Sequence, residues 1–308
     1  MTQVNTTKQG NVLPRVGTAI VAQIPDNTAT GGNARGVNAV DLQTIRFFES
    51  SVASGERSVT SGGSDNRASG FGSTVSGGSS SVAAGDYSTV SGGAGHEASG
   101  LASTVSGGFG NLALGERSTV SGGSSNSSSG EHSTVSGGFI NTATGKNSTI
   151  SGGAFATTNG IGGLWAYGFD GESQGRNQMS FFGARATTTT NAPTRATSDG
   201  FSASTTNQLT LRNNSAFLIS GYVSARDTAT NDSKYWTFQG AIKRGAAAAN
   251  AALVGTPTIN TVAQDTAAST WAIALSADTA NGSLAVTVTG EAAKTIRWTV
   301  VIHSIEVA

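Results

Sequence analysis

The acidic side chains of this sequence recur at a spacing that could serve glycoside cleavage. Glu56, Glu116 and Glu131 share one phase of a 15-residue spacing with Asp86, and Asp65 and Glu97 fall in the same region. Two carboxylates flanking a glycosidic bond act as acid and base, or as acid and nucleophile. Glu116 and Glu131, one period apart, would lie close together if successive periods stack. The same phase also holds Phe71, Leu101 and Lys146. A column that accepts acids, a base and apolar residues alike reads as an outer corner in water, and that reading is preferred to a hydrolase.

The histidines are His96, His132 and His303. His96 stands where other periods carry Asn66, Asn111, Asn126 and Asn141, which reads as a turn position. A three-fold oligomer could gather three copies of a histidine around a metal; a plain turn or surface histidine is the simpler reading. There is no nucleophile elbow, phosphate-binding loop or His-Glu-x-x-His motif. No catalytic, cofactor or metal residue is assigned. The side chains suited to contacting a sugar or a protein surface are Tyr222, Tyr235, Asn231 and Asp232, beside a turn near the C-terminal end.

What must position these residues is a repeat. Ser-Thr-Val-Ser-Gly-Gly begins at Ser73, Ser88, Ser103, Ser118 and Ser133, with variants at Ser58 and Ser148. A fixed short period means one structural unit stacked many times, and this length suits one coil of a β-solenoid. The third position forms a β-branched ladder of Val75, Val90, Val105, Val120, Val135 and Ile150, led by Thr60. A small-residue ladder follows (Ala53, Ala68, Ala83, Ala98, Ala113, Ser128, Ala143). Two residues on comes a glycine ladder: Gly55, Gly70, Gly85, Gly100, Gly115, Gly130, Gly145 and Gly160. Recurrent glycine marks a positive φ or a close backbone approach.

Each period therefore reads as two strands of ~5 residues joined by two turns, stacked ~4.8 Å apart in parallel. With about one valine and one alanine buried per coil, the interior is lean. Burying a valine contributes ~1.5–3 kcal/mol, against ~1–2 kcal/mol for ordering each residue's backbone. The shortage implies burial supplied from outside the single roll, most simply by a homotrimer.

Charged residues are 12% of the chain and the formal net charge is zero. No basic field exists to draw nucleic acid. Cysteine is absent, which excludes disulfides and thiolate metal sites. The first 15 residues lack the apolar run of a secretory signal, and no 18-residue apolar run occurs. The expectation is synthesis in a cytoplasm, without membrane insertion.

Five regions follow. Residues 1–32 read as an attachment segment and 33–52 as a lead-in, in which Val40, Leu42 and Ile45 could cap the first coil. Residues 53–163 are the parallel β-roll, 164–206 a neck and linker, and 207–308 an antiparallel β-sandwich or jelly roll. Alternation predicts strands at Gln208–Arg212, Phe217–Arg226, Tyr235–Lys243, Thr258–Gln264, Thr270–Ala277, Leu284–Thr289 and Thr295–Val307. Trp236, Trp271 and Trp298 fall in these strands and read as core. Ala246–Ala252 reads as a loop or single helical turn.

The pieces Ser73-Thr74-Val75-Ser76-Gly77 and Ala83-Ala84-Gly85 resemble the head repeats of trimeric autotransporter adhesins, with a period differing by about one residue. As a whole the chain resembles bacteriophage tail-fibre and receptor-binding proteins. The resemblance rests on Gly31–Gly36 with Ala39–Gln43, on Trp236–Gly240, on Leu275–Asp278 with Asn281-Gly282, and on Thr295–Trp298. It implies a homotrimeric, non-enzymatic structural fibre on a virion. The N-terminus would join a tail, baseplate or capsid protein, and the trimeric tip would contact a host cell-surface glycan or protein. Two alternatives remain: an architectural capsid or baseplate decoration protein, and a tailspike-like polysaccharide depolymerase.

Overall fold

The computed structural model describes residues 15–16, 19–169 and 177–307. The attachment segment read over 1–32 lies in part outside these. The fold is all-β, a parallel β-solenoid of about nine turns with antiparallel strands towards the C-terminus. The chain divides into two compact units, Met1–Thr142 and Ala143–Ala308.

In the first unit each coil stacks on the next in register, 15 residues apart: Thr74 pairs with Thr89 and Val75 with Val90. Val82 pairs with Glu97 and Ala83 with Ala98 in a second ladder. A third ladder consists of single bridges, Ser64 to Ser79 to Ala94 to Phe109. The strands are two residues long, as at Thr74–Val75 and Val82–Ala83, not the five expected. The reason is local. Three left-handed backbone positions recur in every coil, for example Ser80 (φ 54°), Tyr87 (φ 57°) and Gly93 (φ 89°). Each turns the chain before a longer strand can form.

Five positions per coil are buried, represented by Ser81, Ala83, Gly85, Ser88 and Val90. The valine and alanine ladders face inward as expected. The interior is nonetheless more polar than one valine and one alanine. Asn66 is buried and donates Nδ2 to Gly62 O and Gly78 O, both at 3.0 Å. Its Oδ1 accepts the Ser81 N–H of the next coil at 3.1 Å. Asn111 and Asn126 repeat the pattern, which makes this column an amide ladder rather than a turn in solvent. The glycine ladder is there for close approach. A Cβ on Gly85 would lie 2.1 Å from Gly100 O.

The first coil closes differently from expectation. Val40 and Leu42 are only half-buried and Ile45 is exposed. The inward positions are Asp41 and Gln43, both fully buried. Asp41 takes Arg35 Nε at 2.7 Å and Arg46 Nη2 at 3.0 Å. Gln43 Oε1 accepts the Asn66 N–H at 2.8 Å, so it serves as the terminal rung of the amide ladder. An apolar cap would have left that N–H unpaired.

In the second unit the repeat lengthens. Thr149 pairs with Trp165 and Ile150 with Ala166, a step of sixteen residues. Gly160 accordingly leaves the glycine ladder. It adopts a φ of 76° with open space around it, and the backbone crowding Gly145 belongs to Ile161. Gly145 O accepts the Ser148 hydroxyl at 2.7 Å.

A two-sheet sandwich follows. Its strands are β1 (Trp165–Gly168), β2 (Gln178–Thr188), β3 (Thr194–Arg195), β4 (Leu209–Thr210), β5 (Ser215–Asp227) and β6 (Ser233–Arg244). Then come β7 (Ala252–Leu253), β8 (Thr258–Gln264), β9 (Ala272–Asp278), β10 (Ser283–Thr289) and β11 (Ile296–Val307). The large sheet runs β1–β2–β11–β5–β6–β8, all antiparallel, with β7 also on β6. The small sheet places β9 on one side of β10 and β3 and β4 on the other. All seven strands expected from alternation are present, Thr258–Gln264 with the same ends. The alanine-rich run holds one 3-10 turn, Ala248–Asn250. Within residues 164–206, β2 is an 11-residue strand paired along its whole length with β11. Its buried positions alternate strictly, as a strand with one face on a core requires.

The core between the sheets includes Phe182, Ile219, Val223, Phe238 and Val300 from the large sheet. Leu275, Leu284, Val286 and Val288 face them from the small one. Trp236 and Trp298 stack with centroids 5.6 Å apart and Trp271 lies 6.2 Å from Trp298. All three tryptophans are core, as their positions in alternating strands suggested.

Candidate functional site

The carboxylate column of the solenoid lies on an exposed corner. Glu56, Glu116 and Glu131 each face the side chain of the following residue: Arg57 at 3.5 Å, Arg117 at 2.8 Å and His132 at 3.4 Å. Asp86 Oδ1 accepts the Phe71 N–H at 2.8 Å. The corner residues are thus engaged locally rather than aimed into a cleft.

His96 is buried and belongs to the amide ladder. Its Nδ1 accepts the Asn111 N–H at 3.1 Å, and its Nε2 lies 3.1 Å from Gly108 O. Those two partners require a neutral ring with the proton on Nε2. Among the described residues no group of three or more His, Cys, Asp and Glu could hold a metal ion.

His303 lies in an aromatic row across the outer face of the large sheet. Phe181 is 4.9 Å from Trp165 and 4.5 Å from His303, which is 5.9 Å from Tyr222. Leu218 and Ile305, direct partners in the sheet, are about half exposed beside it. This end of the outer face is apolar, and among the described residues Tyr222, Leu218 and Ile305 are exposed there.

Three of the four contact residues expected from sequence gather at the other end of that face. The hairpin between β5 and β6 is built on Asp227, which is buried and accepts from Ala229 N at 3.0 Å, with Thr230 Oγ1 3.1 Å from its other oxygen. Asn231 completes the turn with a φ of 65° and accepts a hydrogen bond from Arg226 Nη2. Asp232 is half-buried and takes the Thr230 hydroxyl at 2.5 Å, which ties it to the turn. Tyr235 projects outward from β6 opposite Ser224. Tyr222 points from β5 on the same side, nearer the aromatic row, beside a shallow groove of about 270 Å³ lined by Gln239 and Asn260.

The residues missed by sequence reading are arginines. Arg226 on β5 and Arg297 on β11 are direct cross-strand partners, and Arg185 on β2 stands opposite Thr299, two residues from Arg297. All three are exposed on the outer face. Each sits at an outward position of an alternating strand, but the signal exists only once the strands are paired. No helix among the described residues is long and apolar enough to cross a membrane. No protein-family model matches the chain, and no curated protein matches it.

Proposed function

We propose that this chain is a non-enzymatic structural fibre protein of a phage or phage-like particle. It would act as a homotrimer, joined to the particle through its N-terminal region and contacting a host cell surface with its C-terminal sandwich. Three tips per fibre would convert weak contacts into avidity.

The observation that carries the reading is the apolar end of the large sheet, exposed among the described residues. Tyr222 and Leu218 are 58% and 51% exposed, next to His303, Phe181 and Trp165. An apolar patch on an antiparallel sheet that already buries its other face marks a surface for association. A second copy of the same chain supplies a matching patch. The lean solenoid interior and the resemblance to tail fibres favour the same arrangement. Tyr235, Asn231 and Asp232, away from the patch, would then face the host surface.

The mass of the purified chain in solution tests the reading, with and without heating in detergent. A mass of three times 30.7 kDa that survives detergent supports it. A monomer would remove the basis for avidity and, with it, the attachment mechanism.

A further inference from the structure

The arginine cluster on the large sheet needs an explanation that folding does not provide. Like charges directly opposite each other on antiparallel strands are unfavourable, yet Arg226 faces Arg297 and Arg185 stands on the next strand. None of the three forms an ion pair among the described residues. Arg185 donates to Asp199 O at 3.0 Å and Arg226 to Asn231. The nearby carboxylates are engaged elsewhere. Asp227 is buried under its own turn, Asp232 holds Thr230, and Asp199 Oδ1 takes Phe201 N and Asn207 Nδ2.

Two open grooves meet at Arg297. One, of about 310 Å³, lies between it and Arg226 and Thr228. The other, of about 500 Å³, is lined by Arg185, Thr187 and Thr299, with Asp199 at its edge. Guanidinium groups favour planar oxyanions, which they bind through two parallel hydrogen bonds. The surrounding outward side chains are hydroxyls (Thr187, Thr299, Ser224), an amide (Asn231) and a ring (Tyr235). These are partners for sugar hydroxyls and a sugar face rather than for an aliphatic ligand.

We propose that the Arg185–Arg226–Arg297 cluster is a binding site for an acidic glycan, a sugar chain bearing carboxylate or sulfate groups. The proposal rests on reading the sandwich as a surface-attachment tip, and it names the ligand class. A chain with zero net charge and three clustered arginines suits a few spaced anions. It does not suit a nucleic acid, whose affinity grows with many phosphate contacts.

The test is titration of the full-length protein with oligogalacturonate, with its neutral methyl ester, and with dextran sulfate against dextran. Binding to an acidic polymer and at least about tenfold weaker binding to its neutral counterpart are expected. Whichever acidic probe binds identifies carboxylate or sulfate as the recognised group. The Arg226→Gln/Arg297→Gln variant should lose at least about tenfold in affinity without a lower melting temperature. An Arg57→Gln/Arg117→Gln control on the solenoid should lose nothing. Equal binding of acidic and neutral forms, no binding of either acidic probe, or the same loss in the control would overturn the site. Adsorption to host cells separates the two readings. Cell binding that the Arg variant retains sinks this site and leaves attachment standing. Arginine-dependent glycan binding without cell adsorption does the reverse.

Discussion

His96 Nδ1 accepts the backbone N–H of Asn111, one coil further on, at 3.1 Å. This is the contact that the Asn111 side chain makes to Asn126 at 2.9 Å. The imidazole thus fills one rung of an amide ladder, and it does so only while Nδ1 is unprotonated. Burial lowers the His96 pKa, against the pull of the Gly108 carbonyl. A histidine whose folded pKa is depressed stabilises fully above its unfolded value, near 6.5, and loses that contribution as the pH falls below it. The melting temperature should therefore drop between pH 7.5 and pH 5. His96→Asn, which restores the rung without a titrating group, should lessen the drop. An undiminished drop in the variant would place the acid sensitivity elsewhere.

Glu306 works in the opposite sense. It lies buried on β11, 3.8 Å from Arg212, and burial raises its pKa to about 8 against the pull of Arg212 and Gln178. The folded state then holds a proton that the unfolded state releases near 4.5. This contribution is complete below that pH, declines as the pH rises, and is gone above about 8. Glu306→Gln should melt at a higher temperature than the parent at pH 8.5 and at a similar one at pH 5. Equal melting of the two proteins at pH 8.5 would contradict the assignment.

The glycine ladder permits a matched comparison. A Cβ on Gly85 would meet Gly100 O at 2.1 Å, whereas one on Gly92 would meet nothing within 4 Å. Gly85→Ala must push two coils apart, and the loss should be at the high end for single substitutions, about 3 kcal/mol or more. Gly92→Ala should stay within about 0.5 kcal/mol. Denaturant titration of both variants decides whether coil spacing or chain flexibility sets the requirement.

At the start of the solenoid, Asp41 balances two buried guanidiniums. Asp41→Asn would leave Arg35 and Arg46 without a counter-charge. Removing one partner of a buried pair costs about 3–5 kcal/mol. Early loss of the first coils, seen as faster amide exchange around Val59 and Thr60, is the expected signature. Unchanged exchange there would show that the hydrogen bonds from Arg46 to Ser51 O and Gln43 O suffice.

The Arg226–Arg297 pair carries a stability consequence separate from binding. Replacing Arg297 by Gln relieves a like-charge cross-strand contact worth a few tenths of a kcal/mol. The variant should melt slightly higher than the parent at low ionic strength, and the gain should vanish in 1 M salt, where the screening length falls to ~3 Å. A lower melting temperature at both salt concentrations would mean that Arg297 is a structural residue.

The sequence by itself determined the solenoid, because coil contacts join residues one period apart. A valine at Val75 that fits its coil predicts the valine at Val90, and the periodicity writes the register into the chain. Alternation likewise revealed the seven strands from residue 207 onward and placed Trp236, Trp271 and Trp298 in the core, but residues 164–206, read as a neck and linker, hold β1, β2 and β3 of the same sandwich. Tertiary structure decided what depends on neighbours distant in sequence. The buried role of the Asn66 column appeared only when Nδ2 was seen to bridge two coils. Asp41 and Gln43 became the cap because a polar ladder needs a polar end. The arginine cluster required pairing β2, β5 and β11, whose residues 185, 226 and 297 are far apart in the chain. Alternation shows which face a residue takes, and only strand pairing shows what stands beside it.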